Sequence, residues 1–409
     1  MSYPNEIVIG VTAEGINRCI SAVYKSHRER FKGKTEQGGV TVTWDVGKAP
    51  SVAIGSPEGK YWSAAIDASK NSPPKASNTA VVQVLLSGLS AQVGTGKSVV
   101  SGNVLVHMDV VAAGKAFKPA AIAAYLYPEN FSDWDAEAMR QLLPVLLDAA
   151  NKAMPEFSLP ALWGTALSAA GRGVALKDKA LLLGADQGAG GGALKNISIS
   201  KDDHPKWADL LGKYTVVAAF PTTLIPPSLL KEKADDLGFN QYYPINTGRA
   251  TGGFTPHLGP VDPVPGAAGQ FKLGINLDGF SVSSEGYRFR VETEPRHITM
   301  RVGIDLPAQD LNKAAVKIIE VEWFASYYDC ISCADAVTKH IVDGKANTPE
   351  NKAAPWSEAK KMFEGVRKIV NLMPKLQLTS EAVTVEVKPA TLLADEGDYL
   401  LMAGDLEAK

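Results

Sequence analysis

The sequence predicts an α+β protein of two related units, each a long antiparallel, twisted sheet wrapped on amphipathic helices. Three observations predict it. The first is an internal echo. A helix-patterned run ending in Met154-Pro155 is followed by Leu181-Leu182-Leu183-Gly184-Ala185-Asp186, and another ending in Met373-Pro374 by Leu400-Leu401-Met402-Ala403-Gly404-Asp405. The step from Met to closing Asp is 32 residues in both, and similarity at a fixed spacing marks a duplicated unit. The second is apolar residues spaced three and four apart at several places, the stripe of an amphipathic helix. The third is long runs of strict apolar-polar alternation, the pattern of strands with one covered face. The expected units are residues 1–205 and 206–409.

Taken in order, Ile7, Val8, Ile9 and Val11 form an apolar strand or helix lead-in, and Thr12 is placed to cap the helix that follows. Ile16, Cys19, Ile20, Val23 and Tyr24 share a helical face, with Phe31 at the far end and Gly33 as the expected stop. Strands are predicted at Val40, Val42, Trp44 and Val46, then across residues 81–86. Val104, Val106, Met108 and Val110 take one face of a further strand, leaving Asn103, His107 and Asp109 mostly on the other. Ser132 caps a second helix whose first turn holds Asp133 and Asp135, where carboxylates suit the helix dipole. This helix carries Met139, Leu142, Leu143, Leu146, Leu147, Ala150 and Met154, and Pro144 should kink or split it. Two strands then end in the Leu181 run. The Gly188, Gly190, Gly191, Gly192 segment reads as a flexible linker, lacking a dinucleotide fingerprint.

The second half repeats this order. Residues 216–220 lead into a helix expected after Pro226-Pro227. Residues 244–269, rich in Gly and Pro, read as a long irregular loop, a feature that is usually functional or disordered. Phe271, Leu273, Ile275 and Leu277 then alternate as a strand, as do Tyr287, Phe289 and Val291, and Ile298, Met300, Val302, Ile304 and Leu306 after a Glu294-Pro295-Arg296 turn. A strand through Ile319, Val321 and Trp323 precedes a helix striped with Ala359, Met362, Phe363, Val366, Ile369, Val370 and Met373. Strands at Val383, Val385 and Val387 and at the Leu400 run finish the chain.

Composition sets the function classes aside. At 409 residues, 45% hydrophobic and 21% charged, the chain is an ordinary globular one. A net charge of −2 gives no electrostatic footprint for nucleic acid or an anionic membrane. No apolar run reaches the length of a transmembrane helix. Three cysteines build no disulfide framework and favour a reducing compartment. Without a basic and apolar leader, the expected location is cytoplasmic, with export by a route that reads no N-terminal signal left open.

The chemical motifs are weak. Residues 91–98, Ala-Gln-Val-Gly-Thr-Gly-Lys-Ser, satisfy a relaxed phosphate-loop pattern, with Lys97 and Ser98 as the nucleotide-binding candidates. The Val-rich residues after it read as a strand, whereas the mechanism needs a helix N-terminus, so a hairpin turn is favoured. Cys330-Ile331-Ser332-Cys333 has metal-ligand spacing but no second pair to complete a tetrahedral site, and no thioredoxin-like setting. Two buried or half-buried free thiols are expected there. His107 and Asp109 share a strand face with no nucleophile to join them. No catalytic, cofactor or metal residue is assigned.

With the helix of residues 16–31, the helix ending at Met154, the one ending at Met373 and the hairpin strands between them, the order of elements resembles the tubular lipid-binding superfamily (TULIP). That group includes bactericidal permeability-increasing protein and the accessory proteins of clostridial neurotoxin clusters. The clostridial-type branch is the nearer in style, since the disulfide and signal peptide of the secreted vertebrate members are missing here. The resemblance implies a cavity between helix and curved sheet that holds a lipid or other apolar small molecule without catalysis. Alternatives are a protein-binding, toxin-complex component without ligand, or a nucleotide-dependent enzyme using residues 91–98. Expected wall residues are Ile16, Ile20, Val23, Leu143, Leu147, Phe363, Val366 and Val370, the same residues a close-packed core would use.

Overall fold

The computed structural model describes residues 3–37, 39–67, 81–95, 99–159, 165–177, 179–188, 192–225, 228, 231, 235, 239–246, 251–284, 286–294, 298–305, 314–322, 325–349, 368–370, 376–379 and 384–408. It is mixed α+β, and its sheets are mostly antiparallel. The chain divides into two compact units. One holds Met1–Phe220 together with Pro374–Thr391 and Leu401–Lys409, and the other holds Pro221–Met373 and Leu392–Leu400.

The spine of the first unit is an eight-stranded sheet with Ile7–Thr12 and Val216–Pro221 paired antiparallel at its middle. Leu183 pairs with Ile9 on one side, in the strand Ala180–Gln187, while Tyr399–Ala408 lies against Val216–Pro221 on the other. These middle strands are covered on both faces, which is why they read as continuous apolar runs. Gly10 lets the Trp207 indole lie on the strand; a Cβ there would sit 2.7 Å from the ring.

The two echoed Leu runs occupy matching places in this sheet, and their closing aspartates are used alike. Asp186 accepts the amide of Glu6 at 3.0 Å, just before the first strand, and the Gln187 amide donates back to the Glu6 carboxylate. Asp405 accepts the amide of Thr215 at 3.4 Å, just before Val216, and the Leu406 amide donates back to the Thr215 hydroxyl at 2.8 Å.

The second sheet of this unit has seven strands, with Val99–Ala113 between Val82–Val93 and Ala116–Leu126. Gly33 lies inside the strand Lys32–Gln37 instead of stopping a helix. It pairs with Trp44, whose indole would meet a Cβ at 3.0 Å, so glycine is there to receive the ring. The opening helix Ala13–Ser26 is capped by Thr12, and the long helix Asp133–Ala153 by Ser132. The long helix runs unbroken through Pro144. A mid-helix proline costs about 3 kcal/mol, and burial of Met139, Leu143, Leu146 and Leu147 beside it offsets that.

The second unit has its own eight-stranded sheet, built on Gln270–Ser284. The expected loop over residues 244–269 is corrected here: Thr251–Pro263 is a strand of 13 residues paired with Gln270–Ser284. Its register shifts at Gly253 and again after Leu258. Proline and glycine are tolerated at such bulges, and a Cβ on Gly252 would lie 2.0 Å from the Ser281 carbonyl. The helix expected through Val370 is also corrected, since Lys368–Val370 is a strand paired with Ala314–Glu322. Two β-branched residues in that short run suit the pleat. The rest of that expected helix, Phe363 and Val366 included, lies outside the described residues, as do Pro226 and Pro227.

Among the described residues, three helices dock by one device. An asparagine carboxamide pairs with both the N–H and the C=O of a single strand residue, as a neighbouring strand would. Asn17 of the opening helix takes Val52 at 2.6 and 2.9 Å. Asn151 of the long helix takes Ala121 at 2.7 and 2.8 Å. Asn347, capping the helix Ala336–Ala346 (the edge helix), takes Tyr328 at 2.6 and 2.9 Å. Each satisfies two backbone groups on an otherwise open strand position.

Candidate functional site

The apolar seam between the long helix and the seven-stranded sheet is the place where the predicted wall residues can be tested. Helical spacing aims Met139, Leu143, Leu146 and Leu147 at the sheet, where they meet Val42, Val104, Val106, Met108 and Ala124. All of these are buried. Leu143 and Leu147 are therefore brought together, in close-packed surroundings. The cluster is bordered by apolar residues that are not fully covered. Trp44, Val82, Val84, Leu86, Leu142 and Met154 pack against the same cluster and remain only half-buried. Phe131 fits flat on Gly102, where a Cβ would lie 2.2 Å from the ring.

Ile16, Ile20 and Val23 sit elsewhere, half-buried on the opening helix. That helix is fixed over the strand Ser51–Ile54 by Asn17 and tied to the seven-stranded sheet by the Tyr24 hydroxyl, which donates to the Val46 carbonyl at 2.9 Å. Its outer side carries an open depression of about 810 Å³ lined by Glu14, Asn17, Arg18, Ser21, Ala22 and Lys25. These side chains are mostly polar in type, though their apolar atoms form most of the surface they present. The backbone of Val370 lies in a strand of the second unit.

The opposite face of the sheet holds what sequence reasoning gave least weight. His107 is fully buried, its ring 5.5 Å from that of Trp62 in the short helix Gly59–Ser63. Neither ring nitrogen makes a well-formed hydrogen bond, and the Tyr61 backbone is the polar group that approaches the ring. Burial pushes its pKa down to about 4, partly opposed by the Tyr61 backbone, so the ring is neutral at ordinary pH. Asp109 on the same face pairs with Arg172 at 3.1 Å. Burial pushes its carboxyl up, and Arg172 works against that. The alternation rule placed both side chains on the polar face, but a covering segment over residues 55–67 makes that face a second small core with Trp62, Ala65 and Ala123. No nucleophile joins them among the described groups, and no three metal-ligating side chains cluster among the described residues.

The phosphate-loop pattern falls on a hairpin. Gln92 pairs with Val99, Gly94 turns at φ +59°, and the strand Val99–Ala113 follows where nucleotide binding needs a helix. Lys97 and Ser98 lie outside the described residues. The expectation of two free thiols at Cys330 and Cys333 is corrected: they form a disulfide. A separation of three residues lets the turn bring the sulfurs together, which spacing alone does not reveal.

The geometry thus defines a helix-on-sheet α+β protein with a partly covered apolar seam. No protein-family model and no curated protein sequence matches the chain. Among solved structures it is similar to P47 of Clostridium botulinum E1, at 9% identity and a TM-score of 0.48, with 100% of both chains covered. It is also similar to P47 from Clostridium botulinum A2, at 9% identity and a TM-score of 0.46, covering 98% of this chain and 97% of that one. A lipopolysaccharide binding protein aligns at 8% identity and a TM-score of 0.26, covering 98% and 99%. No helix among the described residues is long and apolar enough to cross a membrane.

Proposed function

We propose that this protein binds a lipid or other apolar small molecule between the long helix and the seven-stranded sheet, without catalysis. The observation that carries this reading is that Val82, Val84 and Leu86 of one strand and Leu142 of the helix pack against this core yet stay only half-buried. Apolar surface gains about 25 cal/mol per Å² on leaving water, so roughly 300 Å² of ligand gains on the order of 7 kcal/mol before association costs. Leu143 and Leu147 then form the floor. Ile16, Ile20 and Val23 line a second, shallower apolar face, and the proposed wall also takes in Phe363, Val366 and Val370 of the second repeat.

The duplication belongs to the same proposal, with repeats at residues 1–205 and 206–409. It is supported by the mirrored strand order about Ile7–Thr12 and Val216–Pro221 and by the matched use of Asp186 and Asp405. The repeats and the compact units divide the chain differently, since residues 384–391 and 401–409 close the sheet of the first unit.

Native mass spectrometry of protein purified from its own host tests the function. A co-purifying lipid of constant mass supports it, and a consistently bare chain counts against it. A second reading, a protein-binding component of a larger complex, is favoured by Val337 and Ile341 on the edge helix, which are 70% and 53% exposed.

A further inference from the structure

We propose that the Cys330–Cys333 disulfide is a reversible redox clasp that a dithiol reductant opens, loosening the first turn of the edge helix while the unit stays folded. The bond joins the last residue of the strand Ala325–Cys330 to the connection before the edge helix. Among the described strands, this one pairs only with Tyr287–Glu294, so its other side is an edge. The edge helix covers that side with polar groups. Asn347 takes both backbone groups of Tyr328, Asp343 accepts the Cys330 amide at 2.6 Å, and Lys339 pairs with Asp329. These contacts hold the middle and far end of the helix. Its beginning follows residues 331–335, where Asp335 caps Thr338, Ile331 and Ser332 are bonded to Arg288, and the disulfide alone ties Cys333 to the strand covalently.

The bond is poorly suited to be a staple. Its loop spans only three residues of separation, and a short loop removes little freedom from the unfolded chain. It is well placed to be reduced. Cys330 is buried, but Cys333 is half-buried between exposed Ser332 and Ala334, so Cys333 is the sulfur a reductant reaches. A thiolate of the dithiol attacks the Cys333 sulfur, the disulfide breaks, and Cys330 leaves as a thiolate that takes up a proton. The second thiol of the reductant then attacks its own sulfur in the mixed disulfide. Cys333 is released as a thiolate that is protonated in turn, and the reductant departs oxidised. The remaining cysteine cannot divert this exchange: Cys19 is buried and its thiol is pushed up to about 11 by burial and by Glu407. Opening the clasp loosens the segment from Cys333 to the helix start, which precedes Val337, while Ile331 and Ser332 stay bonded to Arg288, so the redox state sets how firmly this apolar helix face is presented.

Thiol counting and hydrogen exchange on the full chain test this. Alkylation of the denatured, air-purified protein should modify one cysteine without reductant and three after dithiothreitol. Deuterium uptake across residues 331–340 should rise several-fold on reduction, while uptake in the long helix stays unchanged. The Cys330→Ser/Cys333→Ser double variant should show the reduced pattern with or without dithiothreitol. Three free thiols in the unreduced protein, uptake indifferent to reduction, or unfolding of the whole second unit on reduction each overturns the proposal.

Discussion

The long helix and the edge helix are fastened to strands by the same asparagine pairing, yet they differ in what lies beneath them. The first buries Met139, Leu143 and Leu147 against a sheet. The second buries no residue and leaves Val337 and Ile341 in solvent. A carboxamide pair satisfies backbone groups and fixes where a helix sits, contributing about 1 kcal/mol per hydrogen bond. Apolar burial supplies the larger stabilisation. The two helices should therefore respond differently to the same kinds of insult.

The largest contrast comes from the apolar side chains. Leu143→Ala should cost about 2–5 kcal/mol, because a close-packed site collapses only partly around a cavity. Urea unfolding curves would show it as a lowered midpoint. Acid should come next and should separate the units. The His107 pKa is about 4 when folded against 6.5 for a free imidazole side chain, so between those pH values the unfolded chain takes a proton that the native one refuses. Stability is fully present above the higher value and is lost as pH falls toward the lower, by at most about 3 kcal/mol. The loss should register in the first unit, and His107→Leu should flatten the slope measured by unfolding at stepped pH.

Asn151→Ala ranks third. It leaves the Ala121 amide and carbonyl without their partner at a cost of about 1–3 kcal/mol. Asn347→Ala should instead show mainly as faster amide exchange at Tyr328, with little change in the global midpoint. Smallest of all, Val337→Ser should stay within about 0.5 kcal/mol of the parent, as exposed substitutions do. A destabilisation like that of Leu143→Ala at Val337 would mean that the edge helix is covered after all.

Local rules were legible where local physics decides. Thr12 and Ser132 cap helices because a side-chain oxygen three residues ahead of a free amide needs nothing else. Phe271, Leu273 and Ile275 show their strand by alternation, and all three are buried. The Leu181 and Leu400 runs revealed two central strands because both of their faces are covered. What stayed hidden depends on partners distant in sequence. The strand Thr251–Pro263 looks like a loop until Gln270–Ser284 supplies the bulged register that admits its glycines and prolines. Asn17, Asn151 and Asn347 look like ordinary polar residues, since their value lies in one strand residue far along the chain. His107 looks solvated because nothing in its own strand announces Trp62 above it. Of the candidate site, Leu143 and Leu147 were legible as a helix stripe. The half-open neighbours Val84 and Leu86 were not, because alternation marks the face of a strand and not how completely that face is covered.

Seating of an apolar ligand between the long helix and the sheet can be measured by titrating the protein with a fluorescent fatty acid such as cis-parinaric acid. Val84→Lys and Leu142→Lys place a charge at half-open positions that the fold tolerates better than its buried ones. The parent chain should take up the probe saturably, and either variant should bind it at least about tenfold more weakly, a change of about 1.4 kcal/mol. No saturable uptake by the parent, or equal affinity in all three proteins, would contradict it.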